Sequence, residues 1–142
     1  AFHRFDPEKT KAEFARVLIP GGLVMLIWNE RSLDETPFLR AYERLLTDRC
    51  PEYSAISAQH ANPRVLQAFF EAGMSEERFY NEQVFDWEGV KGRALSSSYV
   101  PTNGPEHDTF MAELKKIFLE HSDNGKLSFV YATQLFYGSV ST

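Results

Sequence analysis

The 142-residue chain holds a single cysteine, Cys50. One thiol excludes an internal disulfide, and no CxxC pair exists to make a redox or zinc motif. The expected compartment is the reducing cytoplasm, and Cys50 reads as a small buried hydrophobe near a helix end. No GxG occurs anywhere, so no phosphate- or nucleoside-cradling loop stands between a strand and a helix. GxSxG is missing too. The four histidines, His3, His60, His107 and His121, lack HExxH or paired spacing, and no metal site is expected. The longest wholly apolar run, Leu23–Trp28, is too short to span a bilayer. No basic-then-apolar leader opens the chain, and no membrane partner is expected. Fifteen Lys and Arg stand against twenty Asp and Glu, a net charge of -5 without a basic cluster. A nucleic acid partner is therefore not expected.

What is present is a globular composition, 43% hydrophobic and 14% aromatic with twelve Phe. Residues 1–142 read as a single partial domain, with no repeat, low-complexity tract or linker. Proline and glycine punctuate the elements. Asp6-Pro7 starts a helix with Phe14, Val17 and Leu18 on one face, and Pro20-Gly21-Gly22 stops it. Leu23–Trp28 follows, apolar at every position, and predicts a strand covered on both faces. Thr36-Pro37 opens a second helix striped by Phe38, Tyr42, Leu45 and Leu46. Asn62-Pro63 opens a third, with Val65, Leu66, Phe69 and Phe70 inside and Gly73 as its stop. Phe79–Asp86 reads as a strand. Trp87–Ser96 reads as a weaker helix, because Gly89 and Gly92 lower its propensity. Gly104-Pro105 opens a long helix with Phe110, Leu114, Ile117 and Phe118 inside, ended by Asn124-Gly125. Lys126–Gly138 is a long, largely buried strand. Helices between strands predict an α/β layer fold, yet three strands make a small sheet for so many helices.

In open α/β sheets ligands gather at the carboxyl ends of strands. Trp28-Asn29-Glu30 ends the apolar strand with a stacking wall, an amide and a carboxylate, although Asn29 and Glu30 read equally as solvated turn residues. The loop Phe2-His3-Arg4-Phe5 precedes a helix and belongs at the same rim. His3 could serve as a base or orient a substrate, although a lone histidine is more often a bystander.

The opening "AFHRFDPEKTKAEFARVLIPGGLVMLIWNE" resembles the second half of class I S-adenosylmethionine-dependent methyltransferases of the type-11 kind. There an "AFHWFD" stretch follows the fourth strand, an "R-V-L-x-P-G-G" turn ends the next helix, and a fifth strand ends in "W-N". "RALSSSYVP" and the aromatic last strand are similar to the C-terminal part of the same group.

The resemblance implies a Rossmann-like sheet in order 3-2-1-4-5-7-6 with the seventh strand antiparallel. Leu23–Trp28 would be strand five, Phe79–Asp86 strand six and Lys126–Gly138 strand seven. Ala1 would lie just beyond strand four, so the glycine-rich cofactor loop would precede this chain. The resemblance further implies S-adenosylmethionine as cofactor of the intact parent, none bound by this chain alone, and a small-molecule methyl acceptor. Phe2 and His3 would line the cofactor pocket, with His3 as the catalytic base. Arg4, which stands where the family has Trp, would contact the acceptor together with Trp28, Asn29 and Tyr99. Leu23–Trp28, stripped of a neighbour, would pair with another chain, as a homodimer or with a separate N-terminal half. The other expectation is a non-enzymatic remnant that serves as a dimerisation or interaction module.

Overall fold

The computed structural model describes residues 2–57, 63–70 and 73–140, apart from the side chain of His3. The architecture is α/β. A 3-10 turn, Phe2–Arg4, leads into helix α1 (Pro7–Val17) and strand β1 (Val24–Arg31). Helices α2 (Pro37–Arg49), α3 (Tyr53–Ser57) and α4 (Pro63–Phe69) precede β2 (Ser75–Phe85). Then α5 (Trp87–Leu95) and α6 (Gly104–His121) precede β3 (Leu127–Gly138). The three strands form one antiparallel sheet in the order β1-β3-β2, so the last strand is central.

Local chemistry starts the helices where the sequence places them. The Asp6 carboxylate accepts from the amides of Glu8 and Lys9, at 3.1 and 3.2 Å, ahead of Pro7. The Thr36 hydroxyl accepts from Leu39 N–H at 3.1 Å, again ahead of a proline. The Asp86 carboxylate accepts from Gly89 N–H at 2.9 Å and starts α5. Such side chains satisfy amides that have no partner within the helix. Gly89 weakens α5 in propensity, but a Cβ there would sit 2.7 Å from the Phe85 ring. The helix expected from Asn62-Pro63 is α4 and begins at Pro63, Asn62 lying outside the described residues, and the short α3 before it was not expected.

Contacts divide the chain into two compact units. The first comprises the described residues within Ala1–Glu30, Ala58–Phe79 and Ala132–Thr142. Its core is Val24, Leu66, Phe69, Phe70 and Phe136, with Phe14, Leu18, Leu26 and Trp28 packed against it. Phe69 meets Phe2 edge-on at 4.8 Å, Phe70 at 5.0 Å and Phe14 at 6.0 Å. Gly138 runs so close to Gly73 that a Cβ would lie 2.5 Å from the Gly73 carbonyl oxygen.

Strand β1 departs from the expectation of cover on both faces. Val24 is buried, while Met25 is 58% and Ile27 63% exposed. β1 is an edge strand with β3 on one side only, and the core residues of the first unit cover just the face of Val24, Leu26 and Trp28. Val17 and Val65 are likewise exposed rather than inside. β2 starts four residues earlier than expected, at Ser75, and stops at Phe85, because Asp86 serves as a helix cap. Its polar start is held by the sheet, not by burial, and Arg78 pairs with Glu76 at 3.0 Å and Glu30 at 3.6 Å.

The second unit comprises Arg31–Ser57 and Tyr80–Tyr131. Here α2 packs along α6, bringing Phe38, Leu39, Tyr42, Leu45 and Leu46 together with Phe110, Leu114 and Phe118. Phe129 of β3 is fully buried at the centre. Its ring lies 5.1 Å from Phe38, 5.4 Å from Tyr42, 5.5 Å from Phe85 and 6.3 Å from Tyr131. Such aromatic pairs add to the area they bury.

Phe129→Ala is expected to cost about 3–5 kcal/mol through the cavity it leaves. Gly92 has nothing within 4 Å of an added Cβ, so Gly92→Ala should add about 0.5–1 kcal/mol. Urea unfolding followed by circular dichroism measures both shifts.

Candidate functional site

The expected site residues distribute over the two units. In the first, Phe2 sits in the 3-10 turn with its ring against Phe69. The His3 side chain lies outside the described residues. Arg4 is exposed. Trp28 stacks on Phe136 at 5.1 Å, so one face of its indole is already covered. The Asn29 amide oxygen accepts from the Thr133 hydroxyl at 2.6 Å. Glu30 accepts from the Gln134 side-chain nitrogen at 2.6 Å. Both residues are thus engaged in side-chain bonds to β3. The amide oxygen of the buried Gln134 has no partner among the described residues. Phe2 and Trp28 join one apolar cluster. Tyr99 belongs to the second unit, with its ring edge-on to Tyr53 at 5.0 Å.

The second unit holds a polar cluster that the sequence reading did not assemble. Arg31, at the end of β1, has a side chain only 8% exposed. Its Nη2 donates to Glu43 at 2.6 Å and to the Tyr53 hydroxyl at 2.9 Å. The Tyr53 hydroxyl donates in turn to Glu43 at 2.7 Å. The same guanidinium lies 5.1 Å from the centre of the Tyr42 ring. A buried charge needs such pairing and hydrogen bonding to be tolerated.

Arg93, in the last turn of α5, is treated differently. Its Nε donates to the Tyr131 hydroxyl at 3.2 Å and its Nη1 to the Ser97 hydroxyl at 3.4 Å. Both partners are neutral. Among the described residues no carboxylate forms an ion pair with it. The Tyr42 hydroxyl is fully buried and has no hydrogen-bond partner among the described residues. Burial pushes the Tyr42 phenol well above its ordinary range, and neighbouring Tyr99 pushes the same way against Arg93 and Arg31. Burial and the bond to Glu43 likewise raise Tyr53. Cys50, buried beside α2, is raised by burial and so is a poor nucleophile.

Arg31 directly follows the strand-end Trp28-Asn29-Glu30, and Arg93 stands in the "RALSSSY" stretch. Sequence proximity therefore pointed at both segments, but not at which side chains converge. Tyr42 and Tyr131 read as ordinary core positions. Nothing in sequence spacing could join Glu43 to Arg31 across twelve positions of turn and helix.

Among the described residues no group of His, Cys, Asp and Glu is arranged to hold a metal ion. No helix among them is long and apolar enough to cross a membrane. No family model matches the chain, and no curated protein matches it.

Glu43→Gln strands the Arg31 cation and is expected to cost about 3 kcal/mol. Glu113→Gln removes an exposed pair with Arg49 and should cost no more than about 1 kcal/mol. Denaturation midpoints of the two variants decide the ranking. Tyr42 and Tyr53 keep their protons in the folded chain but lose them near pH 10 when unfolded. Their contribution is therefore complete below about pH 10 and is lost as the pH climbs past it. Tyrosinate absorbance from this pair should appear only as the circular dichroism signal disappears; full tyrosinate absorbance in a folded chain would contradict the assignment.

Proposed function

We propose that this chain supplies the strand-five-to-seven half of a class I S-adenosylmethionine-dependent methyltransferase fold of the type-11 kind. The assembled enzyme would transfer a methyl group to a small-molecule acceptor in the cytoplasm. The observation that carries this reading is the sheet order. The last strand lies between the two earlier ones and antiparallel to them, as strand seven would lie between five and six in the order the resemblance implies. β1 supports the same reading. Among the described residues its outer edge has no partner strand, and Leu23, Met25 and Ile27 are exposed beside it, where a fourth strand and its helix would cover them.

The described residues do not themselves fit the cofactor. The turn after β1 contains no glycine, and β2 passes directly into the Asp86 cap. Asp6 takes two first-turn amides of α1, Thr36 takes Leu39 N–H of α2, and Asp86 takes Gly89 N–H of α5. The donor seat would have to come from other polypeptide, and no chemical step is assigned to this chain. Phe2, His3, Arg4, Trp28, Asn29 and Tyr99 remain proposed contacts of the assembled enzyme.

The exposed edge also favours a second reading, an interaction module that pairs through β1 as a homodimer. The two readings separate experimentally. Calorimetric titration of residues 1–142 with S-adenosylmethionine is expected to give no saturable heat. The same chain preceded by its upstream coding sequence should bind one equivalent. A frame ahead of Ala1 without a glycine-rich strand–loop–helix, or one-to-one binding by residues 1–142, would overturn the methyltransferase reading. Light scattering showing a monomer at high concentration would remove the homodimer.

A further inference from the structure

The sequence places glycine directly after asparagine twice, at Asn103-Gly104 and at Asn124-Gly125. Glycine carries no side chain to shield its nitrogen from the preceding side-chain amide. Attack by that nitrogen closes a five-membered imide, in which it must stand eclipsed with the asparagine Cβ. The two sites meet this requirement differently.

Asn124-Gly125 forms the tight turn ahead of β3. φ is 48° at Asn124 and 71° at Gly125, the left-handed pair of a mirror-image type I turn. Asp123 and Lys126 exchange both backbone bonds across it, at 2.8 and 3.0 Å. Such a turn holds the Asn124 and Gly125 nitrogens close to eclipsed with each other, and so far from Cβ. The Asn124 amide also donates to the Asp123 carboxylate at 3.1 Å. Ring closure must first break this clamp. Asn103-Gly104 is held by none of it. Asn103 is exposed and extended, with φ -158° and ψ 169°, and its side chain makes no bond to the start of α6. That ψ already sets the two nitrogens apart and leaves a shorter rotation to the eclipsed geometry. Gly104 N–H, the first amide of the helix, has no acceptor within it. A Cβ added at Gly104 would meet only Glu106 Oε2, at 3.9 Å, so the nitrogen stands in open space.

We propose that Asn103 is a site of spontaneous deamidation and that its aspartyl product caps α6. Solvent base takes the Gly104 N–H proton. The nitrogen bonds to Asn103 Cγ, the Cγ–Nδ2 bond breaks, and ammonia leaves with a proton from water. Water then opens one of the two imide C–N bonds. Opening at Cγ gives aspartate; opening at the main-chain carbonyl gives the isoaspartyl linkage. The sum is amide plus water to acid plus ammonia, with nothing oxidised or reduced. The two products differ in consequence. Helices α1, α2 and α5 each begin with a side chain bonded to a first-turn amide, and α6 does not. An aspartate carboxylate at position 103 is a favoured cap and sets negative charge at the positive end of the helix. The isoaspartyl product adds a backbone atom at that point and carries the carboxylate away from the amides. All of these residues belong to the second unit, and the proposal does not rest on the methyl-transfer reading.

The test incubates residues 1–142 in mildly alkaline buffer below their unfolding temperature, digests the chain and counts acid at positions 103 and 124 by mass spectrometry. Position 103 should convert at least about fivefold faster than 124, the scale of one backbone hydrogen bond lost from the turn. In urea, where the clamp is gone, the two rates should converge. Asn103→Asp should raise Tm by about 1–4 °C. Equal rates in the folded chain, faster conversion at 124, or no conversion at 103 would overturn the site. An unchanged or lower Tm for Asn103→Asp would overturn the capping role.

Discussion

The structure depends on β3 being paired on both edges and buried on both faces. It is the central strand of the sheet, and its side chains are buried or half-buried along its whole length. Leu127–Tyr131 contribute to the core of the second unit, and Phe136 to that of the first. Central position forces this. A strand flanked by strands cannot show either edge to water, and a strand covered on both faces must be apolar on both. The sequence LSFVYATQLFYG answers with aromatic or aliphatic residues on either side of the pleat, and Gln134, the buried polar exception, uses its amide nitrogen on Glu30.

β1 inverts this arrangement. It is equally apolar, yet it lies at an edge and shows Met25 and Ile27 to solvent. Periodicity reports which residues suit burial and says nothing about whether cover is present. The same limit explains Val17 and Val65. The helix starts at Asp6 and Thr36 were legible because a cap needs only residues within one turn of each other, whereas Asp86 was read into the strand it follows. The strands were placed by their apolar runs, with errors at their ends where a polar segment pairs through its backbone, as at Ser75–Arg78.

The candidate site was legible only in part. Its segments were touched through Trp28-Asn29-Glu30, which Arg31 directly follows, and through the "RALSSSY" stretch, but the roles given to Trp28 and Asn29 overlooked partners far along the chain. Thr133 stands 104 residues from Asn29. The Arg31–Glu43–Tyr53 triad and the Arg93–Tyr131 bond are long-range pairings that a local pattern cannot encode. What separates the two arginines is their neutralisation. Arg31 is closed off by a carboxylate, whereas Arg93 is held by hydroxyls that orient it and leave its charge open.

The position of the central strand in the chain has a consequence for biosynthesis. β1 and β2 leave the ribosome before residues 127–138 exist, and neither can find its sheet neighbour until then. The capped helices can wind in the meantime, because their contacts are local. The nascent chain therefore passes through a stage in which an oily ribbon, Leu23 to Trp28, is held ready with no one to join, and that interval is when a chaperone would have most to do.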